Sequence, residues 1–345
     1  MRRLIRFVFV LLLLAACAGG FLYWRLWTPF RGFAGTEVFV DLPSGTGVSE
    51  IARRLAAAGV VPDPYTFRLA AHLAHDDHRL QAGEYRFSDA ATPGAVAARL
   101  ARGDVYTHPV TFPEGLNIAE MSAVYERTGL GTAAAFREAA TRVSLVAAFD
   151  PDAATLEGYL FPETYPLTRH ASADDLVTMM VARFQHVFDA DLRAAAAAQH
   201  LTVRDLVTLA SLVELETAQP SERPLVAAVF RNRLRLGMPL QCDPTVVYAL
   251  MQAGRWHGMI HKVDLQIDSP YNTYRVAGLP PGPIASPGRA SLEAAGHPAD
   301  ASYLYFVSRN DGTHAFAATL AEHNRNVALY QLHKSGGRSG GKRPR

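Results

Sequence analysis

Two glutamates lie two residues apart at the end of an apolar stretch, in the segment LASLVELETAQPSER (Leu209–Arg223). The apolar spacing predicts a helix that ends before the proline turn. On a helical wheel Glu216 falls in the apolar sector, whereas Glu214 falls outside it, about 160° away. The two carboxylates therefore point in different directions and cannot act together on the same bond of a substrate. A carboxyl held among apolar neighbours has a raised pKa, which a general acid needs near neutral pH, so Glu216 is the better acid.

A purely structural Glu216 is the alternative interpretation. Most charged residues do no chemistry. Glu216 could be half solvated at the end of the helix, or it could pair with Arg223, Arg231 or Arg233. The helical wheel alone does not decide between these two interpretations.

A long segment dense in Pro and Gly follows downstream, SPYNTYRVAGLPPGPIASPG (Ser269–Gly288). It cannot be helical and is long for a connection, which is typical of a functional loop. Its residues Tyr271, Asn272 and Thr273 carry hydroxyl and amide groups beside aromatic faces, a chemistry suited to binding sugars. A structural Ω-loop explains the same composition equally well. Gln241 and Asp243 lie in a polar loop that follows a helix closed by Gly237.

A second interrupted segment is LEGYLFPETYPL (Leu156–Leu167), which holds three aromatic residues together with Glu157 and Glu163. Its prolines prevent one continuous helix. The aromatic side chains could form one wall of a binding site, or they could simply fill the core.

The N-terminus begins with the basic MRRLIR, and no charge interrupts the apolar run from Phe7 to Trp24. As a helix this run is roughly 27 Å long, close to the thickness of a bilayer. Residues 1–27 are therefore predicted to be a cytoplasmic flank and a transmembrane anchor, with the chain after Trp27 exported. A lipoprotein with Cys17 lipidated and a cleaved signal peptide are the alternatives. The apolar run continues for seven residues beyond Cys17, which fits neither of them well.

The remainder of the chain predicts an α+β fold. Residues 36–115 alternate short strands with amphipathic helices and form a small α+β module without a nucleophile, metal cluster or phosphate loop. Residues 116–333 mix helices and strands, and residues 334–345 form a Gly-rich basic tail predicted to be disordered. The net charge of +2 and the lack of a basic stripe interleaved with aromatics before the tail argue against a nucleic-acid partner. The two cysteines, one in the apolar run, do not predict a disulfide framework.

Several long motifs occur together and in order along nearly the whole chain after the anchor. They read LQAGEYRF, EGYLFPETY, LASLVELETAQPSERPLVAAVFRNRLRLGMPLQCDPTVVYAL, SPYNTYRVAGLPPGPIASPG, YLYFV and HAFAATLAEHN. In this they resemble the endolytic murein transglycosylase family, also called the MltG or YceG-like family. Two positions depart from the pattern expected for that family, Cys242 in place of threonine and Ser286 in place of a frequent asparagine.

The resemblance implies a single-pass inner-membrane enzyme with a periplasmic LysM-like module (36–115) and a catalytic domain (116–333). Such an enzyme cleaves nascent peptidoglycan glycan strands after N-acetylmuramic acid, leaves 1,6-anhydro ends and so could terminate glycan polymerisation. Cell-wall synthases, the penicillin-binding proteins, are implied partners. The family's catalytic glutamate is the second in E-x-E-T, which is Glu216 here.

The expected site follows from these observations. One carboxyl, Glu216, serves as acid and then as base, so we expect no cofactor and no metal. The histidines show no spacing typical of zinc. The expected substrate-binding residues are Glu163, Gln241, Asp243, Tyr271, Asn272, Thr273 and Asn324.

Two other functions stay open. The chain could be a membrane-anchored peptidoglycan-binding or assembly protein without activity. It could also be a two-carboxylate muramidase that uses Glu163 or Asp243 beside Glu216.

Overall fold

The computed structural model describes residues 2–332 and divides into two compact units. The first unit comprises the chain up to Pro109 together with Pro166–Ala171, and the second comprises Val110–Tyr165 and the described residues from Ser172 onward. Helices and short strands mix in both units, which confirms the α+β prediction. The LysM-like identity of residues 36–115 stays a prediction, and so do the domain boundaries. The predicted tail, 334–345, lies outside the described residues.

The N-terminal helix α1 (Arg2–Trp27) is long and apolar enough to cross a membrane, with a mean hydropathy of 2.4 in its most apolar window. No residue of that window is buried against the protein. A fully exposed apolar helix of this length fits the predicted transmembrane anchor.

The remainder of the first unit packs helices on a two-stranded antiparallel sheet. Strand β1 pairs with β2 in a register that runs from Val38↔Phe87 to Leu42↔Gly83. The predicted order of strand, turn, helix, helix, strand and helix is confirmed. The elements are β1 (Val38–Leu42), α2 (Val48–Ala57), α3 (Pro64–Leu73), β2 (Gly83–Phe87) and α4 (Pro93–Arg102).

Two further strands, β3 (Thr107–Thr111) and β4 (Thr164–Thr168), pair with each other, and the chain passes between the units within them. The second unit is mostly helical. Its elements are α5 (Ile118–Arg127), α6 (Ala133–Ala139), α7 (Ala173–Val187), α8 (Ala190–Ala198), α9 (Val203–Glu216), α10 (Arg223–Arg235), α11 (Asp243–Gln252), α12 (Arg289–Gly296), β5 (Tyr305–Ser308), β6 (His314–Ala317) and α13 (Leu320–Val327). Short turns of other helix types cover Val143–Leu145, Asp264–Gln266 and Ala328–Leu332.

Helix α9 lies at the centre of the second unit, in contact with α8, α10, α11 and α12. A capping box of Thr202 and Asp205 starts it, which satisfies N–H groups that the first turn leaves free. Every residue from Leu206 to Val213 is buried, the polar Thr208 and Ser211 included. The sequence predicted a helix with one apolar side, but α9 is enclosed on all sides because four helices surround it.

The segment Ser269–Gly288 is irregular, as predicted, and α9 holds it in place. The buried hydroxyl of Ser211 accepts a hydrogen bond from the Ile284 amide at 3.1 Å. The Glu214 carboxylate accepts one from the Gly288 amide at 2.9 Å. Polar groups on a buried helix thus replace the regular partners that this loop lacks.

Gly158 provides another close contact with the same loop. Its φ of +80° lies in the left-handed region, and a Cβ there would meet the Cβ of Pro283 at 2.4 Å. Only glycine combines that backbone conformation with that approach at no steric cost.

We expect Gly158→Ala to lower the free energy of unfolding by about 2–4 kcal/mol, because backbone strain adds to the clash with Pro283. Gly254→Ala is the matched control, since Gly254 has a φ of +65° but open space around its Cβ position. Its cost should be about 1 kcal/mol, from backbone strain alone. Urea denaturation followed by circular dichroism measures both variants. Equal losses would show that Pro283 moves aside freely.

Candidate functional site

Glu216 is the last residue of α9, because Thr217 is already extended, with φ −144° and ψ 130°. The Thr217 hydroxyl donates to Glu222 Oε2 at 3.2 Å. Glu222 also accepts hydrogen bonds from His314 on β6, at 2.8 Å from the amide, while His314 Nδ1 lies 2.7 Å from its other oxygen. The chain immediately after Glu216 is therefore tied to the β5–β6 hairpin.

The Glu216 side chain faces a cavity of about 240 Å³. The lining combines two carboxylates, a guanidinium, an imidazole and two aromatic rings. A cavity of mixed charge with aromatic faces is suited to a ring that carries hydroxyl and amide groups. The lining residues are Glu216, Arg233, Leu240, Gln241, Asp243, Tyr274, Phe306 and His323.

Burial raises the pKa of Glu216 to about 7, and the nearby Asp243 carboxylate acts in the same direction. The Cys242 thiol, within hydrogen-bonding reach, and the charges of His314 and Arg233 oppose this rise in pKa. The C-terminal position on α9 also favours the neutral acid, since the helix dipole is negative there. Glu216 is only partly buried by surface area, so its carboxyl remains reachable from the cavity. A reachable carboxyl with a pKa near 7 can both give and take a proton at neutral pH.

Asp243 begins α11 and holds a fixed place in the cavity wall. The Tyr274 hydroxyl donates to its Oδ1 at 2.5 Å. The preceding Gln241 has a left-handed φ of 51°, which turns the chain sharply before α11. Two bonds to Thr273 hold this turn, from the Gln241 amide to its carbonyl at 3.1 Å and from the Cys242 amide to its hydroxyl at 3.0 Å.

Arg233 supplies a buried cation that sequence reasoning treated only as a pairing partner for Glu216. Its side chain donates to three backbone carbonyls, Leu304 at 2.7 Å, Leu240 at 2.8 Å and Pro239 at 3.3 Å. Within residues 2–332 no carboxylate forms an ion pair with it. The positive charge is thus positioned by the backbone and remains available to the cavity.

His323 on α13 completes this side of the cavity. Its ring stacks on Tyr305 with 5.1 Å between centroids. Burial, followed by the charge of Arg233, lowers the pKa of His323, which favours the neutral form of the ring. Its buried Nδ1 has no hydrogen-bond partner in the described part of the chain. The sequence signal for this residue is the motif HAFAATLAEHN, in which the neighbouring Asn324 is the predicted binding residue.

Glu214 differs from the expectation drawn from the helical wheel. Its side chain is only 6% exposed and forms an ion pair with Arg223 at 3.3 Å. The wheel placed it outside the apolar sector, but the loop at Gly288 covers that side of α9. Arg223, proposed as a partner for Glu216, pairs with Glu214 instead. Glu214 is therefore a structural carboxylate.

The structure brings only some of the predicted binding residues to this cavity. Gln241 and Asp243 line it. Glu163 lies elsewhere, in an exposed ion pair with Arg183, and Asn324 is exposed on α13 outside the lining.

The predicted residues of the 269–288 loop point mostly inward. Asn272 and Thr273 are 0% and 1% exposed. Asn272 Nδ2 donates to the carbonyls of Leu265 and Ile267, at 3.0 and 2.8 Å. Tyr271 packs against Tyr248 with 4.9 Å between ring centroids. These residues therefore affect ligand binding indirectly, by stabilising the conformation of the loop.

A second cavity, of about 340 Å³, also includes Asp243 in its lining. It is mostly apolar and extends along α11 past Val247 to Met251, with Leu215 and Ile284 on another wall. Asp243 lines both cavities, so the two lie on either side of this residue. A larger cavity of about 480 Å³ between α8, α10 and α12 contains neither Glu216 nor Asp243, so size alone does not identify the site.

Glu157 is a buried carboxyl beside this second cavity that sequence reasoning did not select for chemistry. It accepts hydrogen bonds from the Ile118 amide at 3.1 Å and from the Tyr248 hydroxyl at 3.2 Å. Burial raises the pKa of Glu157 to about 8, so it is mostly neutral at pH 7. Because both partners are fixed groups of the fold, Glu157 links the 156–167 loop to α5 and α11.

The raised pKa of Glu216 predicts a pH-dependent stability. A carboxyl whose pKa rises from 4.5 to about 7 on folding contributes stability below pH 4.5 that is lost as the pH rises through 7. We expect the native chain to lose on the order of 1 kcal/mol relative to Glu216→Gln between about pH 5 and about pH 8. Urea denaturation at both pH values measures this difference. A difference that does not change with pH would mean that Glu216 ionises in the fold as it does in water.

The sequence and the fold of this chain are similar to those of known proteins. A family model described as the YceG-like family matches residues 40–329. An endolytic murein transglycosylase of Bacillus subtilis (strain 168) is 34% identical over 329 residues, which cover 90% of each chain. An endolytic murein transglycosylase of Streptococcus pneumoniae (strain D39) is 32% identical over 84% of this chain and 58% of the relative.

A solved structure is also similar. The 2.6 Å crystal structure of a yceG-like protein from Listeria monocytogenes matches with a TM-score of 0.56 and 31% identity. The match covers 85% of this chain and 99% of the Listeria chain. The extent of the match to the family model and to these relatives shows that the chain belongs to the YceG-like family.

Proposed function

We propose that this chain is an endolytic murein transglycosylase that cleaves peptidoglycan glycan strands with Glu216 as both acid and base. The observation that supports this most is the Glu216 carboxyl, whose pKa burial raises to about 7 while it stays open to a cavity. The names of the relatives supply the substrate class, murein, and the type of reaction.

In the proposed reaction Glu216 donates its proton to the glycosidic oxygen after N-acetylmuramic acid, and the bond from that oxygen to C1 breaks. The Glu216 carboxylate then takes the proton of the C6 hydroxyl of the same sugar. At the same time the oxygen of that hydroxyl bonds to C1. The ring closes as a 1,6-anhydro sugar, Glu216 regains its proton and no water is consumed. A pKa near 7 suits this sequence because neither protonation state is strongly favoured.

Other lining groups fit roles in the same reaction. As C1 loses its leaving group it gains positive charge, which the nearby Asp243 carboxylate would stabilise. The Arg233 guanidinium, held by backbone carbonyls, would donate to an acetamido oxygen of the sugar. The faces of Tyr274 and Phe306 would pack against the apolar faces of a sugar ring.

A two-carboxylate muramidase is the second candidate, since Asp243 lines the same cavity as Glu216. In that reaction Asp243 would activate a water molecule or attack C1 directly. Glu163 is not suited to this role because it lies in an exposed ion pair with Arg183 outside the lining.

The location of the reaction is part of the proposal. Helix α1 would anchor the chain in the inner membrane, with the basic flank in the cytoplasm and both units in the periplasm. There the enzyme would meet nascent strands, release them from polymerisation and work beside cell-wall synthases.

We expect Glu216→Gln to lower the cleavage rate by about 10²- to 10⁴-fold, because the nearly isosteric amide delivers no proton. Glu214→Gln is the matched control on the same helix. It should keep most of the activity but lose about 1–3 kcal/mol of stability, because Arg223 loses its carboxylate. Muropeptide release from purified sacculi and thermal unfolding measure the two effects. A tolerated Glu216→Gln together with an inactive, folded Glu214→Gln would refute the assignment.

Digestion in heavy-oxygen water separates the two candidate reactions. The transglycosylase should release internal fragments with unlabelled 1,6-anhydro ends, one water lighter than hydrolysed ends. Mass spectrometry of the products measures the label. Heavy oxygen at the new reducing end would show hydrolysis and favour the muramidase with Asp243.

A further inference from the structure

The last turn of α1 is fixed to the first unit. Arg25 Nη2 lies 2.5 Å from Asp63 Oδ2, and Asp63 also caps the N-terminus of α3. The chain that follows α1 is bonded to the same unit, since Phe30 pairs with Ala91 and the Gly32 amide donates to the Gly59 carbonyl at 2.8 Å. The segment between α1 and β1 is therefore no free tether.

An apolar surface continues from the end of α1 onto α3. Leu26 and Trp27 line a cavity of about 220 Å³ together with Leu73 and Ala74. Trp27 and Leu73 are nonetheless 67% and 63% exposed. The cavity wall is thus an open apolar patch that begins where the membrane-length helix ends.

The outer face of α3 extends this patch. Tyr65, Leu69 and Leu73 are spaced by four residues and so share one face. Tyr65 is 79% exposed, while Phe67, Ala70 and Ala71 fill the core on the other side. The exposed Arg68 borders the stripe, and so does His72, whose Nδ1 lies 3.1 Å from Asp77 Oδ2. Aromatic, aliphatic and basic side chains on one exposed helix face are typical of helices that lie at a bilayer surface.

We propose that α3 lies on the surface of the bilayer that α1 crosses, with Tyr65 and Leu73 among the lipid headgroups. The proposal rests on α1 being the membrane anchor. If α1 spans the bilayer, Trp24 and Trp27 mark its interface. Leu73 lines the same cavity as Trp27, so it lies beside this interfacial end of α1. The lipid that covers α1 is therefore the partner expected to cover the adjoining face of α3.

Fluorescence quenching tests the proposal with the full chain in nanodiscs. Cys17→Ser removes the exposed thiol, and Cys242 is buried, so a new cysteine takes the label. Labels are placed at Leu73→Cys, Tyr65→Cys, Leu12→Cys within α1, and Asp104→Cys as the control. Asp104 is exposed and follows the C-terminal end of α4. The cavity is lined by Gly94, at the other end of that helix.

Lipids with a nitroxide near the headgroup should quench the labels at 65 and 73 by about half or more and leave the label at 104 nearly unchanged. Quenching at 12 with no more quenching at 65 and 73 than at 104 would overturn the proposal while leaving the anchor intact. No quenching at 12 would refute the anchor, and the proposal with it.

A second variant guards against an effect of the label itself. With the label at His72→Cys, the double change Tyr65→Ser and Leu73→Ser should reduce quenching severalfold. Phe39→Ser is the control, because Phe39 is also an exposed apolar residue of this unit but lies on β1. If the label at position 72 is quenched to the same extent in the double variant as in Phe39→Ser, Tyr65 and Leu73 have no role in membrane contact.

Discussion

The loss of hydration around one carboxyl is the constraint on which the site depends. Glu216 ends a helix that four others enclose, so its charged form has few waters to stabilise it. Thr217, immediately beyond it, is tied through Glu222 to His314 on β6, which fixes the chain at this end of the helix. The enclosure of Glu216 thus raises its pKa toward neutral pH, which the proposed reaction uses, and the same enclosure makes the ionised state costly to the fold.

The polar groups of α9 show how a buried helix can organise an irregular loop. Ser211 and Glu214 face the 269–288 segment and accept its amides, and Thr273 in that segment holds the turn before α11. Through these contacts the position of Asp243 depends on residues that never face the cavity. Cys242, where the family was expected to have threonine, is buried in this framework and replaces a hydroxyl with a weaker donor beside Glu216.

Periodicity and turn residues predicted the anchor helix, the α+β order of the first unit and the irregular 269–288 segment, because those signals are local. The helical wheel also predicts that Glu216 lies among apolar neighbours, because its position relative to them depends only on the helical repeat. The wheel could not show that Glu214 is covered, since that depends on a loop more than seventy residues away. Composition likewise could not show that Asn272 donates to backbone carbonyls, or that three other backbone carbonyls position Arg233. The direction of both side chains is set by tertiary contacts, which composition does not contain.

Asp243 forms part of the wall of two cavities, one with Glu216 and the other along α11. A long ligand that occupies both would pass Glu216 somewhere along its length instead of presenting a terminus to it. Such an arrangement does not fix the distance between the cleaved bond and an end of the strand. In the proposed reaction the lengths of the products would follow random scission statistics, modified only by where the enzyme is held along the strand.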